Sequence, residues 1–133
     1  MTEIEIASDL NELPRLLEFV ETFTGAEDLS GRLALHLQLA LEELVTNVIQ
    51  HGYGDSNGRI RLALERRGEQ VHARVSDTAR AYDPFSVAEP DREAPIDERP
   101  MGGLGVHLVR EFADSYEYER REGKNLVRVS FRV

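Results

Sequence analysis

A carboxylate and an amide lie four residues apart in the segment LALEELVTNVIQHG, residues 39–52. Apolar residues recur around them at spacings of three and four, which predicts an amphipathic helix from about Ser30 to Gln50. On such a helix, Glu43 and Asn47 are neighbours along one edge. An amide oxygen suits Mg²⁺, which takes few protein ligands, and the carboxylate could accept a proton from a water or a hydroxyl. Taken alone, a pair with this spacing more often marks a solvated helix edge.

A second carboxylate, Asp77, ends the alternating segment VHARVSD, which predicts a strand over 71–77. In this position it could accept a hydrogen bond from an exocyclic amine such as that of adenine. The alternative is an aspartate that only begins a turn. Asp83, in the following DTARAYDP, could likewise hold the loop or start a turn.

The segment PMGGLGVHLVREF, residues 100–112, places three glycines within four positions directly before a predicted helix. Glycine lets the backbone approach a ligand closely, and the free amides at a helix start attract phosphate. A flexible hinge is the alternative. The irregular stretch before it, residues 83–102, contains four prolines, and loops of this length in a compact domain tend to be functional or mobile.

The composition excludes several classes of protein. There is no cysteine, so disulfides and thiolate chemistry are absent, and the net charge of −9 argues against direct nucleic-acid or anionic membrane binding. The single lysine, Lys124, fits neither a P-loop nor the lysine of a eukaryotic-type protein kinase. Without a signal peptide or a long apolar run, we expect a soluble protein in the cytoplasm.

The elements predicted around these residues follow the order β-α-α-β-β-α-β-β. Two pairs of alternating segments, 59–66 with 71–77 and SYEYERR with NLVRVSFRV, are separated by short turns and predict hairpins. This order favours an α/β (α+β) two-layer sandwich, in which the helices cover one face of a mixed, mostly antiparallel sheet.

Taken in chain order, the three motifs resemble the N, G1 and G2 boxes of the Bergerat-fold (GHKL) ATPases, the superfamily with the histidine-kinase-like ATPase domain. Within it, the chain most resembles the anti-sigma-factor serine/threonine protein kinase family. Residues 39–53, 77–84 and 102–118 carry the resemblance, which extends over nearly the whole chain. It implies one ATPase domain over residues 1–133, with an ATP lid at about 85–101.

The resemblance also implies roles for individual residues, with ATP and Mg²⁺ as cofactors. Glu43 would be the general base and Asn47 the Mg²⁺ ligand, while Asp77 would hold the adenine amino group. Arg110 is a candidate to meet phosphate charge. The remaining positions expected to bind the cofactor are Ala79, Asp83, Gly102, Gly103, Leu104, Gly105 and Val106.

The partners implied are an anti-sigma-factor antagonist of the STAS type, which would be phosphorylated, and a sigma factor, which would be sequestered. A homodimer is expected, without contact to nucleic acid or membrane. Three residues depart from the family pattern: Ala79 and Ala81 replace glycines of the G1 box, and Arg128 stands where we place the adenine-binding threonine of the last strand. The alternative function is therefore a catalytically weak partner-binding regulator on the same fold, with little or no ATP dependence.

Overall fold

The computed structural model describes residues 1–86 and 104–133, with only the backbone of Leu104. The helices and strands follow the predicted order, which is confirmed. They are β1 (Thr2–Ala7), α1 (Leu13–Ala26), α2 (Gly31–Asn47), β2 (Arg59–Arg67), β3 (Gln70–Asp77), α3 (Leu104–Phe112), β4 (Ser115–Arg121) and β5 (Lys124–Arg132). None of the helices in these described ranges is long and apolar enough to cross a membrane.

The strands form one sheet in the order β1-β2-β3-β5-β4. Each neighbouring pair in the described residues is antiparallel, so the sheet contains no parallel pair there. The last strand, β5, lies between β3 and β4, and it brings Asn125 opposite Asp77. Asn125, the second residue of β5, therefore lies beside the aspartate that ends β3.

One face of the sheet is covered by the helices, which confirms the predicted two-layer sandwich. Alternate residues of the central strands, such as Ile60, Leu62 and Leu64 of β2, are buried against the helices, and the burial of this apolar surface stabilises the layer. The opposite face carries cross-strand ion pairs instead, including Arg74 with Glu3 at 3.4 Å. Strand alternation therefore decides which side chains can reach the helices.

Helix α2 begins at a serine cap, where Ser30 Oγ accepts a hydrogen bond from the Leu33 amide at 3.1 Å. The α-helix ends at Asn47, before the predicted Gln50, and the chain continues as a π-helical turn over Val48–Tyr53. The Gly54 amide closes this wider turn by donating to the Ile49 carbonyl at 2.9 Å, and Gly54 has a positive φ of 58°. Because the turn continues the helical path, it brings Gly52 and Tyr53 against the loop that follows β3.

Candidate functional site

Asn47 lies at the C-terminal end of α2 and is buried, with 9% of its surface exposed. Within the described residues its side-chain amide has no hydrogen-bond partner. Its polar atoms are not fully enclosed, so a ligand or a water molecule can still reach the amide. Burial therefore excludes the solvated-edge alternative for Asn47, whereas Glu43, one turn earlier, remains partly exposed to solvent.

Helix α3 approaches α2 closely at Glu43. A Cβ atom built on Gly105 would lie 2.3 Å from the Glu43 Cβ and 2.9 Å from the Leu39 carbonyl oxygen. No side chain fits in this space, so residue 105 must be glycine for packing, whatever its contact with phosphate. The packing places the start of α3 directly beside the predicted base.

The other predicted residues of the G2 motif are only partly described. The Val106 side chain is buried, with 2% exposed, so any contact with a cofactor would use its backbone. Gly102, Gly103 and residues 87–101 of the predicted lid lie outside the described residues, as does the side chain of Leu104. Arg110 donates from Nη2 to the Phe85 carbonyl, which ties α3 to the turn after Asp83.

Asp77 ends β3 and is also buried, with 6% exposed. Its Oδ1 accepts two hydrogen bonds, from the Ala79 amide and from Asn125 Nδ2, each at 2.9 Å. Its Oδ2 accepts none from the described residues. The carboxylate thus keeps one oxygen available as an acceptor.

Asn47 and Asp77 line the same pocket, together with Gly52, Tyr82 and Asn125. Its walls are otherwise apolar and consist of Leu44, Val48, Val75, Pro84 and Val127. An apolar pocket with a few convergent polar groups is typical of a site for a small molecule. The free space in it is only about 10 Å³, enough for about one water molecule.

Tyr82 was not predicted from the sequence as part of the site. Its ring stacks on His51, with ring centroids 5.0 Å apart. Burial and then the negative charges of Glu43 and Asp83 raise the pKa of the Tyr82 phenol above its usual value, so the phenol stays neutral near pH 7. Tyr82 therefore lines the pocket and is also close enough to Glu43 to be affected by its charge. In the sequence, only the aromatic residue within DTARAYDP could have indicated this role.

The loop after Asp77 accommodates its alanine without backbone strain. In the described part of the chain, only Asp28 and Glu122 have positive φ among the non-glycine residues, so Ala79 does not need glycine's freedom. Its methyl group is buried and lies 3.0 Å from the place where a Cβ of Gly52 would stand. The methyl group of Ala79 thus occupies space left by the glycine of the π turn.

Asp83 stabilises the turn over Pro84–Ser86, one of the two roles considered for it. Its Oδ1 accepts from the Phe85 amide at 2.9 Å, and its carbonyl accepts from the Ser86 amide at 3.2 Å. Both bonds are local. Direct contact of Asp83 with a cofactor stays a prediction.

The placement of Arg128 in the base pocket is wrong. Arg128 lies on the outer face of the sheet and donates to Glu117 at 2.9 Å and to Glu119 at 3.2 Å, and these hydrogen bonds raise its pKa. The reason is register: Asn125 pairs with Asp77, so strand alternation turns residue 128 to the opposite face. Asn125 is the polar residue that β5 contributes to the pocket, beside the apolar Val127, and without the register the sequence could not identify it.

Comparison with known proteins agrees with this geometry. The family model of the histidine kinase-like ATPase domain matches residues 6–131. The chain is similar to serine/threonine-protein kinase BtrW of Bordetella bronchiseptica, with 31% identity over 97 residues, which cover 72% of this chain and 68% of BtrW. It is also similar to serine-protein kinase RsbW of Bacillus cereus, with 23% identity over 99 residues.

That second alignment covers 71% of this chain but only 62% of RsbW, less than two thirds of its length. RsbW of Bacillus thuringiensis gives the same identity and coverage. The family resemblance predicted from the three motifs is confirmed by the match over residues 6–131 and by the similarity to BtrW. The chain therefore belongs to the histidine kinase-like ATPase domain family, in its branch of serine/threonine-protein kinases.

Proposed function

We propose that this chain is an ATP-dependent serine/threonine protein kinase that phosphorylates a small regulatory protein. One observation carries the proposal: the side-chain amide of Asn47, which has no hydrogen-bond partner within the described residues, lies one helical turn from the partly exposed Glu43 and lines the same pocket as Asp77. The kinase names of BtrW and RsbW support the same reaction.

The pocket would hold the adenine base. The free Oδ2 of Asp77 would accept a hydrogen bond from the adenine amino group, and the apolar side chains of Leu44, Val75 and Val127 would pack against the ring. Since the pocket has little free space, Tyr82 would move when the base enters.

Asn47 is suited to hold Mg²⁺ through its amide oxygen. The described residues contain no group of three or more acidic or histidine side chains able to bind a metal by themselves, and Mg²⁺ bound to nucleotide needs only one or two protein ligands. Bound Mg²⁺ would neutralise charge on the ATP phosphates. Backbone amides at the start of α3, at Gly105 and Val106, would add donors, together with Gly102, Gly103 and Leu104 and a lid over residues 85–101.

Glu43 would act as the general base. Its carboxylate would accept the proton of a serine or threonine hydroxyl on the partner protein, and that oxygen would form a bond to the γ-phosphorus of ATP. The bond from the γ-phosphorus to the bridging oxygen breaks, ADP leaves, and the proton on Glu43 passes to water. The partial exposure of Glu43 would allow a protein substrate to reach it.

For the partners, we propose an anti-sigma-factor antagonist of the STAS type as substrate and a sigma factor as the sequestered protein, with the kinase as a homodimer. Phosphorylation adds about −1.5 to −2 charges near neutral pH. This chain has a net charge of −9, so repulsion would favour release of the phosphorylated product. The support for these partners is the resemblance of the three motifs to the anti-sigma-factor kinase family.

A second candidate is a partner-binding regulator with little ATP dependence. The observation that favours it is the narrow pocket, whose free space of about 10 Å³ is far below the roughly 300 Å³ expected at the lower end for ligand sites. The retained Glu43 and Asn47 oppose it.

Calorimetric titration with Mg-ATP separates the two candidates. For the kinase we expect micromolar, Mg²⁺-dependent binding that Asn47→Ala abolishes. Thr46→Ala is the matched control, because Thr46 is the preceding residue of α2 and does not line the pocket. An absence of binding at millimolar ATP would reject the kinase and leave the regulator.

A further inference from the structure

The loop over residues 78–81 is held by side chains of the last two strands. Asn125 Nδ2 donates to the Arg80 carbonyl at 2.9 Å and to the Ala79 carbonyl at 3.4 Å. Arg120, on β4, donates from Nη1 to the Ala79 carbonyl at 2.6 Å. The loop that lacks the expected glycines is thus held by its backbone carbonyls.

The hydrogen bonds around Asn125 also fix the orientation of its amide. Its Oδ1 accepts from Arg120 Nη1 at 3.1 Å and from the Tyr118 hydroxyl at 2.5 Å. Arginine can only donate, so the oxygen of the amide must face Arg120 and the NH₂ group must face Asp77. Arg120 therefore acts together with Tyr118 at Oδ1, and with the acceptors around Nδ2, to hold the orientation in which the NH₂ group meets the Asp77 carboxylate.

The consequence for Asp77 is a carboxylate with two N–H donors on Oδ1, from Asn125 and from the Ala79 amide. Both donors lie on Oδ1, so Oδ2 is the oxygen that Asp77 can offer to a ligand as an acceptor. A purine with an amino group at C6 can donate to this oxygen. A purine with a carbonyl at C6 would place a second acceptor against it.

We propose that Arg120 and Asn125 are positioning residues that hold the 78–81 loop by its carbonyls and make the pocket selective for a 6-amino purine over a 6-oxo purine. The inference rests on the proposed nucleotide-binding function. It assigns a role in base selection to β4, an edge strand that pairs only with β5 in the described part of the sheet.

The selectivity is tested by calorimetry with Mg-ATP and Mg-ITP. ATP has an amino group at C6, which donates hydrogen bonds, and ITP has a carbonyl oxygen there, which accepts them. The wild-type chain should prefer ATP by about tenfold or more, the range expected when a buried acceptor loses its donor. Asn125→Asp, which replaces the NH₂ donor by an acceptor of the same shape, and Arg120→Ala should both reduce this ratio towards one. Arg120→Lys, which keeps a cationic donor group at the end of the side chain, should retain part of it.

Arg128→Ala is the matched control, since Arg128 is a nearby arginine on the outer face of the sheet and pairs with Glu117 and Glu119. Its ATP-to-ITP ratio should equal that of the wild type. If Asn125→Asp and Arg120→Ala weaken both nucleotides equally, the two residues act only on the fold, and the inference is overturned.

A second measurement needs no nucleotide: hydrogen exchange of the Ala79 amide, followed by NMR. Loss of the carbonyl contacts should speed this exchange about tenfold in Arg120→Ala and Asn125→Asp but not in Arg128→Ala. If the wild-type chain binds neither nucleotide, the proposed function fails, base selection fails with it, and exchange alone decides whether the loop is held as inferred. Unchanged exchange in both variants overturns the inference even if ATP binds.

Discussion

The two ends of the proposed nucleotide site are built by different means. The proposed phosphate end, defined by Glu43, Asn47 and Gly105, consists of two helices in direct contact, and its geometry depends on the absence of a side chain at Gly105. The base end, defined by Asp77, Asn125 and Tyr82, consists of strand ends and a loop joined by side-chain hydrogen bonds. Each described motif residue is retained at the phosphate end, whereas alanines replace glycines at the base end.

The difference indicates which departures from a motif can be tolerated. At the base end, Asn125 and Arg120 hold the loop from outside, so Ala79 fits without a positive φ. At the phosphate end no neighbouring side chain can compensate, because the atoms of α2 and α3 already lie at contact distance. The effects of substitutions at the two ends should therefore differ in the property that changes as well as in their size.

The largest effect is expected at the phosphate end, from Glu43→Gln. Removal of the general base should lower phosphoryl transfer by about 10²–10⁴-fold, while Mg-ATP still binds, because the amide keeps the size of the side chain but not its basicity. Transfer of labelled γ-phosphate to the partner protein measures the first quantity, and calorimetry measures the second. Full transfer activity in this variant would show that Glu43 is not the base.

At the base end, Asp77→Asn should weaken ATP binding by about 10- to 100-fold. The two N–H donors now on Oδ1 would retain the amide oxygen, so the new NH₂ group would take the Oδ2 position and meet the adenine amino group donor to donor. Calorimetry measures the loss, with Asp55→Asn, an exposed carboxylate outside the pocket, as control. Equal ATP affinity in the variant and the wild type would remove Asp77 from the binding site.

Helix contact at the phosphate end is tested by Gly105→Ala. The added methyl group would overlap Glu43, and we expect the free energy of unfolding to fall by about 1–3 kcal/mol. Urea unfolding followed by circular dichroism measures it. Gly25→Ala in α1 is the control, since a Cβ there meets no atom within 4 Å. If both variants are equally stable, α2 and α3 are not in contact at this point.

The smallest effect is expected from Gly52→Ala, which tests the fit of the alanine in the loop. Its Cβ would lie 3.0 Å from the Ala79 Cβ, and we expect a loss of about 1 kcal/mol in the free energy of unfolding. In an Ala79→Gly background the same substitution should cost less, with a coupling of at least about 0.5 kcal/mol in the double-mutant cycle. Additive effects would contradict the contact.

The sequence predicted the layers, the order of the elements and the phosphate end, because helical and strand periodicity and a glycine-rich helix start are local signals. It did not predict that the space beside Glu43 requires glycine at position 105, or that Asn125 and not Arg128 lies beside Asp77, because both depend on packing and register between segments distant in the chain. The motif alone suggested that Ala79, in place of glycine, weakens nucleotide binding. Ala79 has no positive φ, so a need for glycine's backbone freedom is no longer a reason to expect this.

The narrowness of the pocket has a consequence for the rate at which a nucleotide would bind. With room for about one water molecule, the pocket must open before a base can enter, and the stacked rings of Tyr82 and His51 would separate or shift in that step. The observed affinity would then equal the intrinsic affinity multiplied by the fraction of molecules that are open. If opening comes first, the observed rate constant of association would reach a plateau as the ATP concentration rises. The rate of pocket opening, and not diffusion, would then limit binding.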